Sequence, residues 1–133
     1  SGIKLQNYGT VFVTIADGDK EEALPLIRRF YNLGFNIVAT AGTARFLKEH
    51  GIRTHMLKKL TDGNTEIADA IRQGHIAYVI NTRTPGADEK DGIQIRQIST
   101  EYNVNIFTSL DTVRIVLDVL EEVVPQISTI DGV

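Results

Sequence analysis

Apolar residues follow two alternating rhythms along the chain. Short, β-rich runs at 11–15, 35–39, 54–57, 76–80 and 105–107 are largely apolar instead of alternating with polar residues. That pattern predicts strands covered on both faces. Between them, apolar residues recur at helical spacing: Ala23, Leu24, Ile27 and Tyr31; Ile67, Ala68 and Ile71; Ile95, Ile98 and Tyr102. The last stretch places Val113, Val116, Leu117 and Leu120 at i, i+3, i+4 and i+7, the clearest amphipathic helix in the chain.

Punctuation agrees with periodicity. Gly34, Gly51 and Gly74 each end a helical stretch just before a strand, and Asn103 holds the equivalent place before the fifth strand. These are the residues that most readily take the left-handed conformation closing a helix. Asp19 with Glu22, and Thr108 with Asp111, have the spacing of capping boxes. Strand and helix alternating five times predict an α/β fold of three layers, an open five-stranded parallel sheet between two layers of helices. The segment 84–92 has one Pro, two Gly, mixed charge and no period, and reads as a surface loop.

Right-handed crossovers bring every strand-to-helix loop to one edge of such a sheet, where ligands of open α/β sheets bind. The sequence puts Asp17, Asp19 and Lys20 there after the first strand, and Thr40, Gly42 and Thr43 after the second. Lys58 and Lys59 follow the third strand, Asn81, Thr82 and Arg83 the fourth, Thr108 and Ser109 the fifth. Singly, each is an ordinary turn or cap residue. Jointly, Lys20, Thr40, Thr43, Lys59, Asn81 and Thr82 make a donor-rich rim suited to an anion of charge near −2, with Gly42 permitting close backbone approach.

Composition narrows the chemistry. The 133 residues include 14 Lys and Arg, 17 Asp and Glu, 3 His and no Cys, for a net charge of −3. That balance disfavours a nucleic-acid binder, and the lack of cysteine removes disulfides, thiolate metal sites and thiol nucleophiles. The longest apolar run is five residues, 76–80, too short to span a bilayer, and no signal-peptide pattern opens the chain, so a cytoplasmic location is expected. His50, His55 and His75 lack the spacing of a metal site or of a catalytic pair, and surface or capping roles are expected for them. Neither a P-loop nor a dinucleotide fingerprint is present. No resident cofactor or metal is expected. The chain opens Ser1-Gly2-Ile3 without Met, consistent with a piece of something longer.

Four ordered runs carry a family likeness: T-I-A-D-G-D-K-E-E-A-L, G-F-N-I-V-A-T-A-G-T-A-R-F-L-K-E-H-G-I, Y-V-I-N-T and F-T-S-L-D-T. Together they resemble the methylglyoxal-synthase-like superfamily, most closely the C-terminal regulatory domain of the carbamoyl phosphate synthase large subunit. The resemblance covers roughly residues 8–122. It implies a Rossmann-type fold and a domain that binds an allosteric effector without transforming it. The effector would be UMP, IMP or phosphoribosyl pyrophosphate, with ornithine as another activator in some enzymes. The family's phosphate residues correspond to Lys20, Thr40, Thr43 and Lys59, while Thr14, Asn81 and Thr82 fall on positions associated with the same site. Arg83 departs from the small polar residue expected there. The implied partners are the rest of the synthase large subunit, which uses ATP with Mg or Mn, and indirectly its glutaminase small subunit. On this basis residues 1–9 are expected to be a linker, 10–124 the regulatory domain and 125–133 a tail.

Methylglyoxal synthase itself is the main rival, a lyase eliminating phosphate from dihydroxyacetone phosphate. It needs a carboxylate base, and its G-D-Q-Q segment aligns with Gly63-Asn64-Thr65-Glu66, which has an amide at the base position. Ala16 replaces its histidine and Thr84 its second acid, although Asp17 is kept and Glu66 lies nearby. The related domain of the bifunctional purine enzyme that closes the inosinate ring ranks last, because its R-V-K-T-L-H-P segment is missing. A reading of another class is an interaction domain with a vestigial site, docking through Val119, Val123 and Val124. Nucleotide titration separates these classes.

Overall fold

A computed structural model describes residues 9–57, 66–82 and 90–132. Five strands, β1 (Thr10–Thr14), β2 (Asn36–Thr40), β3 (Thr54–Leu57), β4 (Ile76–Asn81) and β5 (Asn105–Phe107), form one parallel sheet in the order β3-β2-β1-β4-β5. A single 3-10 turn (Asp17–Asp19) leads into α1 (Lys20–Asn32). The other helices are α2 (Ala41–Glu49), α3 (Glu66–Arg72), α4 (Lys90–Glu101) and α5 (Leu110–Gly132).

Strand alternation sorts the core into two halves. Val11, Val13, Ile37, Ala39, Tyr78 and Ile80 join α1, α2 and α5 in one cluster, whereas Phe12, Leu57 and Val79 join Ile67, Ile71 and Ile95 of α3 and α4 in the other. The result is the three-layer arrangement that continuous apolar strands require. All six residues of β4 are buried. In β3, at the edge, only the first and last are buried, because nothing flanks its outer side among the described residues.

The helix-ending residues behave as their positions predict. Gly34, Gly51, Gly74 and Asn103 all have positive φ, between 59° and 103°. Each is followed by the same backbone bond reaching five residues back: Phe35 to Phe30, Ile52 to Leu47, His75 to Ala70 and Val104 to Ser99. Four helices therefore end in one Schellman-type geometry, which directs the chain straight into the next strand.

Helix starts and faces depart from the pattern in places. Asp19 makes no side-chain cap bond, because it lies in the 3-10 turn with helical φ and ψ, and Glu22 instead meets Arg114 at 2.8 Å. At α5 the cap is Ser109, whose Oγ accepts from the Asp111 amide at 3.2 Å, and Thr108 is not the capping residue. The buried stripe of α1 is Ala23, Leu26, Ile27 and Phe30, with Tyr31 pointing outward; Tyr102 is likewise exposed. Lys90, Asp91 and Gly92, read as loop, begin α4, and α5 continues to Gly132, through most of the segment read as a tail. Residues 1–8 of the expected linker lie outside the described residues.

Two arginines fasten α1 to α5. Arg29 donates to Glu121 at 2.6 and 2.9 Å and to Asp118 at 2.8 Å, and Arg114 reaches back to Glu22. The Arg29 hydrogen bonds hold the Glu121 carboxyl below its ordinary value.

Candidate functional site

β1 is the switch point of this sheet: β2 and β3 lie to one side, β4 and β5 to the other. The crevice outside its carboxyl end is the standard ligand position of an open α/β fold. The sequence-predicted residues that the structure describes converge there. Thr14, Thr40 and Asn81 are the last residues of β1, β2 and β4, Lys20 is the first of α1, Gly42 and Thr43 lie in the first turn of α2, and Thr82 directly follows β4. Lys59 and Arg83 lie outside the described residues, as do Lys58, Asn64 and Thr84.

Register and alternation arrange three of them in a row. Phe12, Val38 and Val79 face the α3/α4 layer, so Thr14, Thr40 and Asn81, two residues further along each strand, stand on that face. Thr14 is in register with Asn81, and its Oγ1 lies 3.5 Å from that of Thr40. At that separation the hydroxyls interact weakly and keep their capacity for other partners. Asn81 is 4% exposed, and its Nδ2 is a buried donor without an acceptor among the described residues.

Thr43 and Thr82 have a second function, which the sequence reading missed. The amide of Ile15 donates to Thr43 Oγ1 at 3.2 Å, and that of Ala16 donates to Thr82 Oγ1 at 2.9 Å. These hydroxyls anchor the loop leaving β1 from two sides. Each has a lone pair engaged by a backbone amide, which leaves its own proton to be donated. The spacings of 28 and 66 residues hide both bonds from sequence inspection.

Lys20 supplies the positive charge. A Cβ placed on Gly42 would lie 3.9 Å from Lys20 Nζ, so the ammonium stands over the opening turn of α2. That turn contains no acidic residue, and Thr40, at its N-cap, makes no side-chain cap bond. The first amides of α2 are thus left for another acceptor. Lys20 pairs with Asp17, whose carboxyl is held below its ordinary value by that hydrogen bond and charge, while remaining almost wholly exposed. Their i, i+3 spacing was the available sequence signal.

Among the other titratable groups, Asp19, Glu22 and Asp111 line a pocket of about 290 Å³ together with Thr82, Thr108 and Ser109, on the β5 side of the rim, whereas the histidines stay apart. His50 caps α2, its Nδ1 2.8 Å from the Phe46 carbonyl, and His55 and His75 are exposed. Among the described residues no three His, Asp or Glu side chains group to hold a metal, and no helix is long and apolar enough to cross a membrane. Val119 is exposed on α5, while the side chains of Val123 and Val124 fall outside the described ones.

Comparison with known proteins agrees with this architecture. The family model of the MGS-like domain matches residues 22–108. The crystal structure of methylglyoxal synthase from Elizabethkingia anophelis NUHP1 superposes with a TM-score of 0.68 at 18% identity, over 85% of this chain and 79% of that one. The crystal structure of ForH superposes with a TM-score of 0.66 at 18% identity, over 86% and 80% respectively. At such identity the likeness to these structures is one of fold.

Proposed function

The chain belongs to the MGS-like domain family, and from that premise we propose that it is an effector-binding regulatory domain whose strand-end rim holds the phosphate of a nucleotide. The observation carrying this reading is Lys20 Nζ standing over the acid-free first turn of α2, at the same carboxyl edge of the sheet as Thr40, Thr43 and Thr82. These groups donate hydrogen bonds or carry positive charge and lie at the switch-point end of the sheet, where Asp17 is the carboxylate paired with Lys20. A phosphate accepts from all of them. Asn81 and Thr14 stand beside it to meet the sugar or a second phosphate oxygen, and Lys59 completes the set by family correspondence.

The four ordered motifs favour carbamoyl phosphate synthase as the parent, with UMP, IMP or phosphoribosyl pyrophosphate as effector. There the ATP-using domains, with Mg or Mn, and the glutaminase subunit perform the chemistry. The effector acts by binding one conformation of the parent more tightly than another. Calorimetric titration of the chain with UMP and IMP tests this: saturable binding weakened by Lys20→Ala supports it, and absence of binding to either nucleotide refutes it. One observation favours methylglyoxal synthase as a second reading, namely that Asp17 places a carboxylate beside Lys20 at the rim. Formation of methylglyoxal from dihydroxyacetone phosphate by the purified chain, lost in Asp17→Asn, would establish that activity instead.

A further inference from the structure

The outer side of β3 carries a feature that the rim does not use. β3 is the edge strand, and among the described residues its backbone is paired on one side only, with β2. Thr54 is buried, its hydroxyl donating to the Ile52 carbonyl at 3.0 Å, and Leu57 is buried in the opposite core half. Met56, in register with the fully buried Ala39, is 46% exposed. Between Met56 and α2 runs a groove of about 390 Å³, floored by Ala41 and Ala44 and flanked by Arg45, Lys48 and Glu49.

Charge identifies what fits there. Residues 41–57 include Arg45, Lys48 and Arg53 against Glu49 alone, a net of +2 in a chain of net −3, so the remaining residues carry −5. Arg45 and Lys48 have no ion-pair partner among the described residues. Shortness, and the like charges of Arg45 and Lys48 beside it, discourage two such edges from pairing with each other, which argues against a second copy of this edge. The same charges attract an acidic strand. An open ladder supplies main-chain hydrogen bonds, a groove beside it takes alternate side chains, and a half-exposed Met adapts to an apolar one.

We infer that the β3 edge with its α2 groove docks an acidic polypeptide segment, which binds extended as a sixth strand. Every second side chain of such a segment meets the groove: glutamates face Arg45 and Lys48, and an apolar side chain two residues from each settles over Ala44 and Met56. Nucleic acid shares the charge preference but has no use for a backbone ladder.

The test titrates a blocked heptapeptide, Glu-Thr-Val-Thr-Glu-Thr-Glu, whose alternate positions present Glu and Val on one face, into the isotope-labelled 133-residue chain at low ionic strength. The expected amide shifts centre on residues 54–57 and the α2 groove. Arg45→Glu and Lys48→Glu, both on exposed positions, are each expected to weaken binding about tenfold, in a salt-dependent manner. A peptide with Pro at its centre is expected to bind at least tenfold less well. Inorganic phosphate is expected to weaken binding no more than chloride of equal ionic strength does, which separates this surface from the rim. Shifts centred on Thr14, Lys20 and Thr82, displacement by phosphate, indifference to either charge reversal, or equal binding of a single-stranded oligonucleotide at the same residues would each overturn the inference.

Discussion

Replacing Thr43 by Val isolates the bond that anchors the loop after β1. Valine matches threonine in shape, so the substitution opens no cavity and removes only the hydroxyl. Thr43 is 3% exposed and Ile15 6%, so water does not readily take over the lost bond. The Ile15 amide, one residue past the end of β1, loses its hydrogen-bond acceptor at 3.2 Å. An exposed bond of this kind contributes little, but a buried donor left without a partner costs about 1–3 kcal/mol. The Val variant should therefore unfold at lower urea concentration with an unchanged slope, and melt roughly 2–8 °C lower for each kcal/mol. Hydrogen exchange of the Ile15 amide should accelerate, and Thr43→Ser should restore both properties, since serine keeps the oxygen. Stability within about 0.5 kcal/mol of the parent chain, with Ile15 still protected, would refute the reasoning. Failure of serine where valine fails would refute it equally, by showing that the methyl group is needed as well and that the hydroxyl alone does not account for the loss.

Other predictions follow from the same geometry. Lys20→Ala and Thr40→Ala are each expected to weaken phosphate-ligand binding by about 1–3 kcal/mol, read by calorimetry, with melting temperature nearly unchanged. Gly42→Ala is expected to raise stability by roughly 0.5–1 kcal/mol, measured by urea unfolding, while lowering ligand affinity, because its Cβ faces Lys20 Nζ at 3.9 Å. Leu117→Ala, at a side chain with no exposure, is expected to cost about 2–5 kcal/mol in the same assay. Glu121 has a folded value below its ordinary 4.5 because Arg29 hydrogen-bonds the carboxylate. Its contribution is therefore fully present above about that pH and is lost as pH falls through the lower folded value. Glu121→Gln should flatten the acid limb of stability against pH.

Much of the architecture was legible because it is encoded locally. Unbroken apolar runs marked the doubly covered strands, and three glycines and Asn103 marked helix ends that all adopt positive φ. Strand order had no such local sign: β4 returning to the far side of β1 is decided by packing between residues distant in the chain. The same limit explains why the arginine ties went unseen, since Arg29–Glu121 and Arg114–Glu22 each join residues 92 apart. At the rim, side-chain types and sheet logic were enough to nominate Lys20, Thr40 and Thr82. They did not disclose that Thr43 and Thr82 are also structural acceptors, because the amides they serve lie in another crossover. Tyr31 and Tyr102 were read as inward from spacing alone. A wide aromatic at the margin of a helical stripe falls on either side of the boundary, and here both fall in solvent.

The crossed arginine ties constrain how the molecule moves. One tie runs from α1 to α5 and the other from α5 back to α1, at opposite ends of the first helix. Sliding either helix along the other strains both at once, so the pair shifts as a single plank. Its leading tip is Lys20, at the mouth of the crevice, and its trailing end is the overhang of α5. Under the proposed effector-binding role, a ligand gripping that lysine would load both ties, and the far end of α5 is where that proposal looks for an outgoing signal.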